Sequence, residues 1–248
     1  GILLSRTLAG LVTAYGSWRA MFWCGVPLAL LGGLLMARMI PLDLPRTSLS
    51  YPRLLASLAE LWREEPALRR ATLIQALLFA SFSAFWTVLA FYLADPAYGL
   101  GAEVAGLFGV IGVAGVVAAP LAGRMADRRG ARSVVLVGAL LVVLAWILFE
   151  TWLSLVGLAL GVILLDLGVQ SALVAHQQLI YGLRAEARGR INTLFMTGMF
   201  LGGTLGSSLA MLAWQQGSWV SVGWVGLALA LTACLAALAG KRSLQPAS

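Results

Sequence analysis

From Ser133 to Phe149 the chain carries no charged side chain. An apolar run of that kind approaches the roughly 20 residues that an α-helix needs to cross a bilayer. In water, other protein would have to cover it on every side. Similar runs recur along the whole sequence, and there is too little polar material to cover them. Of 248 residues, 60% are hydrophobic and only 11% charged, whereas a soluble domain carries about a quarter. Mean hydropathy is +0.92. The runs do not alternate with a period of two, as the strands of a transmembrane barrel would. The fold class is therefore all-α: a polytopic helical bundle in a lipid bilayer.

Eight spans are predicted, at 1–16, 20–40, 71–93, 102–123, 133–152, 154–176, 190–214 and 219–239. The long polar interruption, 41–70, holds Pro41, Pro45, Pro52 and Pro66. Within it Tyr51, Leu54, Leu55, Leu58 and Leu61 recur at helical spacing beside Arg53, Glu60 and Arg63. That pattern predicts a short amphipathic helix along the membrane surface. The first apolar stretch ends near Tyr15 and no Met precedes it, so the chain is expected to begin inside a span. Two spans before the linker and six after it fit a six-plus-six arrangement lacking its first four. The expected division is 1–40 as the last two helices of an N-terminal half, 41–70 as a cytoplasmic linker, 71–240 as a six-helix C-terminal half, and 241–248 as a tail.

Basic residues test this threading. Counting Arg38 with the linker, the linker, the 124–132 loop, the 184–190 loop and the tail hold six, four, three and two Lys/Arg, fifteen of the seventeen. All four segments fall on one side when the spans alternate. The exceptions are Arg6, inside a span, and Arg19, in an opposite loop. The C-terminus is thus expected in the cytoplasm. Trp18, Trp23, Tyr92, Tyr98, Trp152, Trp214 and Trp219 gather near the other span ends, as an interfacial belt does. The formal charge of +7 sits in short clusters between spans, not along a stripe, so nucleic acid is not an expected partner. Cys24 and Cys234 lie within apolar spans and His176 is alone, which gives no disulfide framework and no metal-ligand spacing. No nucleophile–base pair or phosphate-cradling loop is present, so neither an enzyme nor a cofactor is expected.

Polar residues inside a bilayer are costly and usually face a bundle interior or a cavity. Span 71–93 carries Gln75, Ser81, Ser83 and Thr87. Span 154–176 carries Asp166, Gln170 and Ser171, followed by Gln177. Span 190–214 carries Asn192, Thr193, Thr197, Thr204, Ser207 and Ser208. Spans 133–152 and 219–239 have almost none. The polar three are expected to line a path and the bland pair to face lipid. Asp166 stands about twelve residues into its span, with Gln170 and Gln177 on the same helical face. Such an acid either binds a cation or proton or braces neighbouring helices. Arg6 has the same two readings: contact for an anionic group, or interhelical brace. His176 is expected at the cytoplasmic end, in contact with water or headgroups. Phe79, Phe82, Phe85 and Trp86 form either an apolar wall for hydrophobic substrates or ordinary packing. The small-residue rows Gly106, Gly109, Gly112, Gly115 and Gly198, Gly202, Gly206 permit close helix approach.

Gly123-Arg124-Met125-Ala126-Asp127-Arg128-Arg129-Gly130-Ala131-Arg132 resembles the signature loop of the major facilitator superfamily. It falls between the second and third spans after the linker, where that family has it. Trp18-Arg19, Leu165 to Gln170 with Gln177, Arg188 to Thr193, and Gly202 to Ser207 resemble segments of the family's drug/proton antiporters and predicted efflux permeases. Gly1, Ser5, Ala9 and Gly10 resemble a remnant of the antiporter glycine motif. The resemblance implies a latch in which Gly123 and Gly130 form a tight turn, Asp127 meets a helix N-terminus, and Arg128 and Arg132 pair with carboxylates of the other half; the alternative is an ordinary basic loop that anchors topology. It further implies alternating access and export of a small molecule in exchange for protons across a bacterial inner membrane. Uptake by symport or facilitated diffusion is the alternative, and a truncated protein without transport activity is another.

Overall fold

The computed structural model describes residue 12 and residues 18–39, 50–96, 98–111 and 113–239. Its helices are α1 (Trp18–Met39), α2 (Tyr51–Glu64), α3 (Pro66–Leu93), α4 (Ala102–Ile111), α5 (Val113–Arg129), α6 (Ala131–Thr151), α7 (Leu155–Tyr181), α8 (Arg188–Gln216) and α9 (Trp219–Ala239), with one 3-10 turn at Ala185–Ala187. No strand occurs among the described residues. Among the described residues six stretches are long and apolar enough to cross a membrane: Phe22–Met39 of α1, all of α3, α6, α7 and α9, and Ala185–Gln216. The predicted span 102–123 falls on α4 and the first part of α5, which flank Gly112; that residue lies outside the described ones. The predicted span 1–16, apart from residue 12, and the tail also lie outside them.

Local chemistry sets several helix ends. Ser154 accepts a hydrogen bond from the backbone N–H of Gly157 at 3.1 Å, an N-cap that starts α7 immediately after α6 stops. Pro66 stands in the first turn of α3, where a missing N–H costs nothing. The carbonyls at two C-termini meet arginines. Arg70 donates to Ala236 O near the end of α9, and Arg188 Nε donates to Tyr181 O, the last residue of α7, at 3.1 Å. Cations there also oppose the helix dipole favourably.

The bundle is built on two close helix pairs, α3 with α8 and α6 with α7, and α9 bridges α3 and α6. The row Gly198, Gly202 and Gly206 on α8 faces Thr72, Ala76 and Ala80 on α3. A Cβ on Gly202 or Gly206 would run into the α3 backbone itself. Gly138 and Gly168 make the same arrangement between α6 and α7, each facing the other's carbonyl. Lipid supplies no hydrophobic drive between helices, so small residues that admit close van der Waals contact are what hold such pairs.

The core at the α3–α6–α9 junction is aromatic. Phe85 stacks on Phe149 with centroids 4.4 Å apart, and Trp146 and Trp219 flank them. The Trp146 indole N–H donates to Ser81 Oγ at 2.6 Å, and Ser81 donates to Gly226 O at 3.0 Å. Ser81 thus meets the needs of two other helices from wholly buried surroundings. Phe85 is therefore core, not part of a substrate wall.

A second cluster closes the opposite end. Leu61 of α2 packs with Leu68, Ala71, Ile180, Ile191 and Phe195, while Tyr51 and Leu55 of the same helix remain exposed. Arg184, between α7 and α8, pairs with Glu64 at 3.0 Å and with Glu65 at 2.7 Å. These contacts, Glu64 first, raise the Arg184 pKa above its ordinary value. The end of α2 is so fastened to the α7–α8 connection by one apolar anchor and one forked cation.

Candidate transport path

Polar residues of this bundle divide between two environments. On α8, Thr193, Thr197, Thr204 and Ser208 are exposed and recur at three- to four-residue multiples, which places them in one row along the helix. Thr193 donates to Gly189 O at 3.0 Å and Thr204 to Phe200 O at 3.1 Å, both within α8. Such back-bonding lets a hydroxyl tolerate both water and a closed, dry interface. Phe200 stands in the same row and meets Phe79 of α3 edge-on at 5.7 Å. Phe79 stacks on Phe82 at 5.5 Å, and Phe82 lies 6.1 Å from Trp86. Phe79, Phe82 and Trp86 are half-buried. Thr87 of α3 donates to Ser207 of α8 at 2.9 Å, tying the two helices beside this wall. An aromatic wall and a hydroxyl row thus share one face of the α3–α8 pair, and the hydroxyl row is exposed among the described residues.

Most of the residues singled out in the sequence lie elsewhere. Gln75 is fully buried, and its Oε1 sits 2.9 Å from His176 Nδ1. His176 is only 2% exposed, so it is an interior residue joining α7 to α3, not one in contact with water or headgroups. The aromatic ring of Phe195 covers it at 6.1 Å. Asp166 is 4% exposed, inside the bundle of α3 to α9. Gln170 and Gln177, further along α7, are half-buried. Asn192 accepts from the Tyr181 hydroxyl at 2.7 Å, beside the α7–α8 connection. Arg6 lies outside the described residues.

The 123–132 segment is more helical than a loop. α5 runs to Arg129, and only Gly130, at φ 83°, turns the chain into α6. That left-handed angle is where glycine is needed. Gly123 is inside α5, and a Cβ there would meet nothing nearer than Gln178 Nε2 at 3.9 Å, so it serves no turn. Asp127 accepts a long hydrogen bond, 3.5 Å, from Gln178 of α7; this side-chain amide stands where a helix N-terminus was expected. Arg128 and Arg132 are exposed.

Sequence reasoning passed over Phe200, whose part depends on its contact with Phe79. It also passed over Glu150. That carboxylate lines a cavity of about 710 Å³ with Tyr92, Asp95, Tyr98, Trp214 and Trp219, at the end of the bundle opposite Arg128. The hydroxyl row was in view as composition, but its separation from the buried Gln75 and Asp166 was not.

Comparison with known proteins settles the family. The family model described as Major Facilitator Superfamily matches residues 71–247. The chain belongs to the major facilitator superfamily. It is 38% identical over 234 residues to the "Uncharacterized transporter YgaY" of Escherichia coli O157:H7, covering 93% of this chain and 59% of that protein. The K12 counterpart matches equally. It is 32% identical over 243 residues to the "Probable transporter SCO4007" of Streptomyces coelicolor, covering 92% of this chain and 56% of that protein. The chain thus spans less than two thirds of the length of these relatives. With its apolar helices, this membership makes it a multi-pass membrane protein of a transporter family.

Proposed function

We propose that this protein exports a small molecule by alternating access, driven by proton antiport across a bacterial inner membrane with its C-terminus in the cytoplasm. The observation that carries the reading is the shared face of α3 and α8. Its hydroxyl row would be a poor lipid contact, whereas beside an aromatic wall it suits an amphipathic organic substrate. Residues 71–240 act in this reading as the C-terminal half, 1–40 as the last two helices of the other half, and 41–70 as the cytoplasmic linker.

Asp166, Gln170 and Gln177 form the proton-handling side of α7, with Gln75 and Asn192 supporting it from α3 and α8. Arg6 contributes from the other half. Gly123, Asp127, Arg128, Gly130 and Arg132 belong to the latch, in which Arg128 and Arg132 are free to reach carboxylates across the path. Rocking of two halves about a midplane site needs no covalent chemistry.

The test is a panel of amphipathic compounds in inside-out vesicles, with and without an imposed proton gradient. Accumulation that a protonophore abolishes supports export by antiport. Accumulation only in right-side-out vesicles assigns symport instead, and no gradient-dependent movement in either orientation overturns the reading. Unchanged proton-driven transport by Asp166→Asn would reduce Asp166 to a structural acid.

A further inference from the structure

The cavity at the ends of α3, α6 and α8 is distinct from the α3–α8 face. Glu150 and Asp95 line it together with Tyr92, Tyr98, Trp214 and Trp219. Its volume of about 710 Å³ lies in the range of small-molecule sites. An interfacial aromatic belt accounts for rings at this depth. It does not account for the placement of Glu150, next to the last residue of α6 and pressed against α9. A Cβ on Gly223 would collide with that carboxylate, so α9 leaves room there for the acid.

Glu150 Oε1 is buried and accepts no hydrogen bond. Several of the donors that line the cavity are engaged elsewhere. Trp219 Nε1 donates to Phe149 O at 3.4 Å, and the Tyr92 and Tyr98 hydroxyls bond each other at 3.1 Å. Among the described residues no Lys or Arg lines the cavity. A buried carboxylate oxygen without a donor is costly, and aromatic faces attract cations.

We propose that this cavity binds a primary organic ammonium cation. Its N–H groups would satisfy Glu150, its charge would face Glu150 and Asp95, and its carbon body would lie against the rings. A quaternary ammonium would meet the charge but leave Oε1 without a donor. The proposal is independent of the direction of transport and of which membrane holds the chain, because binding alone is read.

Isothermal titration of the purified protein in detergent with benzylammonium tests it, with benzyl alcohol as the neutral near-isostere. Benzylammonium should bind about tenfold or more tightly than benzyl alcohol, and Glu150→Gln should remove that preference. Equal binding of the two probes, or an undiminished preference in Glu150→Gln, overturns the proposal. Asp95→Asn, in the exposed turn after α3, gives a second reading should the first variant not fold. It should reduce the preference several-fold, and an unchanged preference there would equally count against the site.

Discussion

Replacing Gly206 by alanine probes the packing on which the candidate path rests. A Cβ at this position would lie 2.5 Å from the carbonyl carbon of Ala80 and 2.6 Å from its Cα. Carbon atoms rest at about 3.5–4.0 Å, so α3 and α8 must part by about 1 Å. The obstacle is backbone, which has no rotamer to yield. Overpacking of this kind costs about 1–3 kcal/mol, while Gly→Ala inside a helix returns up to about 1 kcal/mol of propensity. The net expectation is a loss of about 0–3 kcal/mol. Unfolding in detergent, followed by tryptophan fluorescence, reads it. Gly189→Ala is the control, because nothing lies within 4 Å of its added carbon, and it should be neutral or slightly stabilising. Ala80→Gly should not rescue Gly206→Ala, since the colliding atoms remain after the Ala80 methyl is removed. Gly206→Ala as stable as Gly189→Ala, or full rescue by Ala80→Gly, would refute the close approach of these helices.

Ser81→Ala should destabilise by about 1–3 kcal/mol, because it strands the buried Trp146 indole N–H; the same unfolding assay measures it, and Ser81→Thr, which keeps the hydroxyl, should lose less. Arg184→Glu places a third carboxylate beside Glu64 and Glu65 and should loosen α2, read as faster proteolysis within 41–70. That difference should fade near 1 M salt, where screening reaches about 3 Å.

Much of the helical architecture is legible because apolar length is a one-dimensional signal. The run from Ser133 to Phe149 ends up within one helix, and Leu54, Leu58 and Leu61 share a side of α2. What stays illegible is which interior a polar residue faces. Gln75 and Asp166 obey the rule that intramembrane polar groups avoid lipid, but a bundle half has its own interior as well as a path-facing side, and periodicity cannot separate them. His176 illustrates the same ambiguity: it stands near the end of an apolar run, yet Gln75 and Phe195 enclose it. The Gly123–Arg132 segment reads as a loop because of its charge, while its backbone is helical up to Gly130. Glu150 joins Asp95 and Trp219 only through the packing of α3, α6 and α9, so no local motif announces their cavity.

Thr197→Cys, in a Cys24→Ser, Cys234→Ser background, tests most directly whether the α3–α8 face lines an alternating path. A membrane-impermeant maleimide is applied to intact cells and to inside-out vesicles, each with and without a proton gradient. The account predicts reaction from both sides, with the gradient raising the rate on one side and lowering it on the other. Reaction from one side only, at a rate indifferent to the gradient, would contradict it.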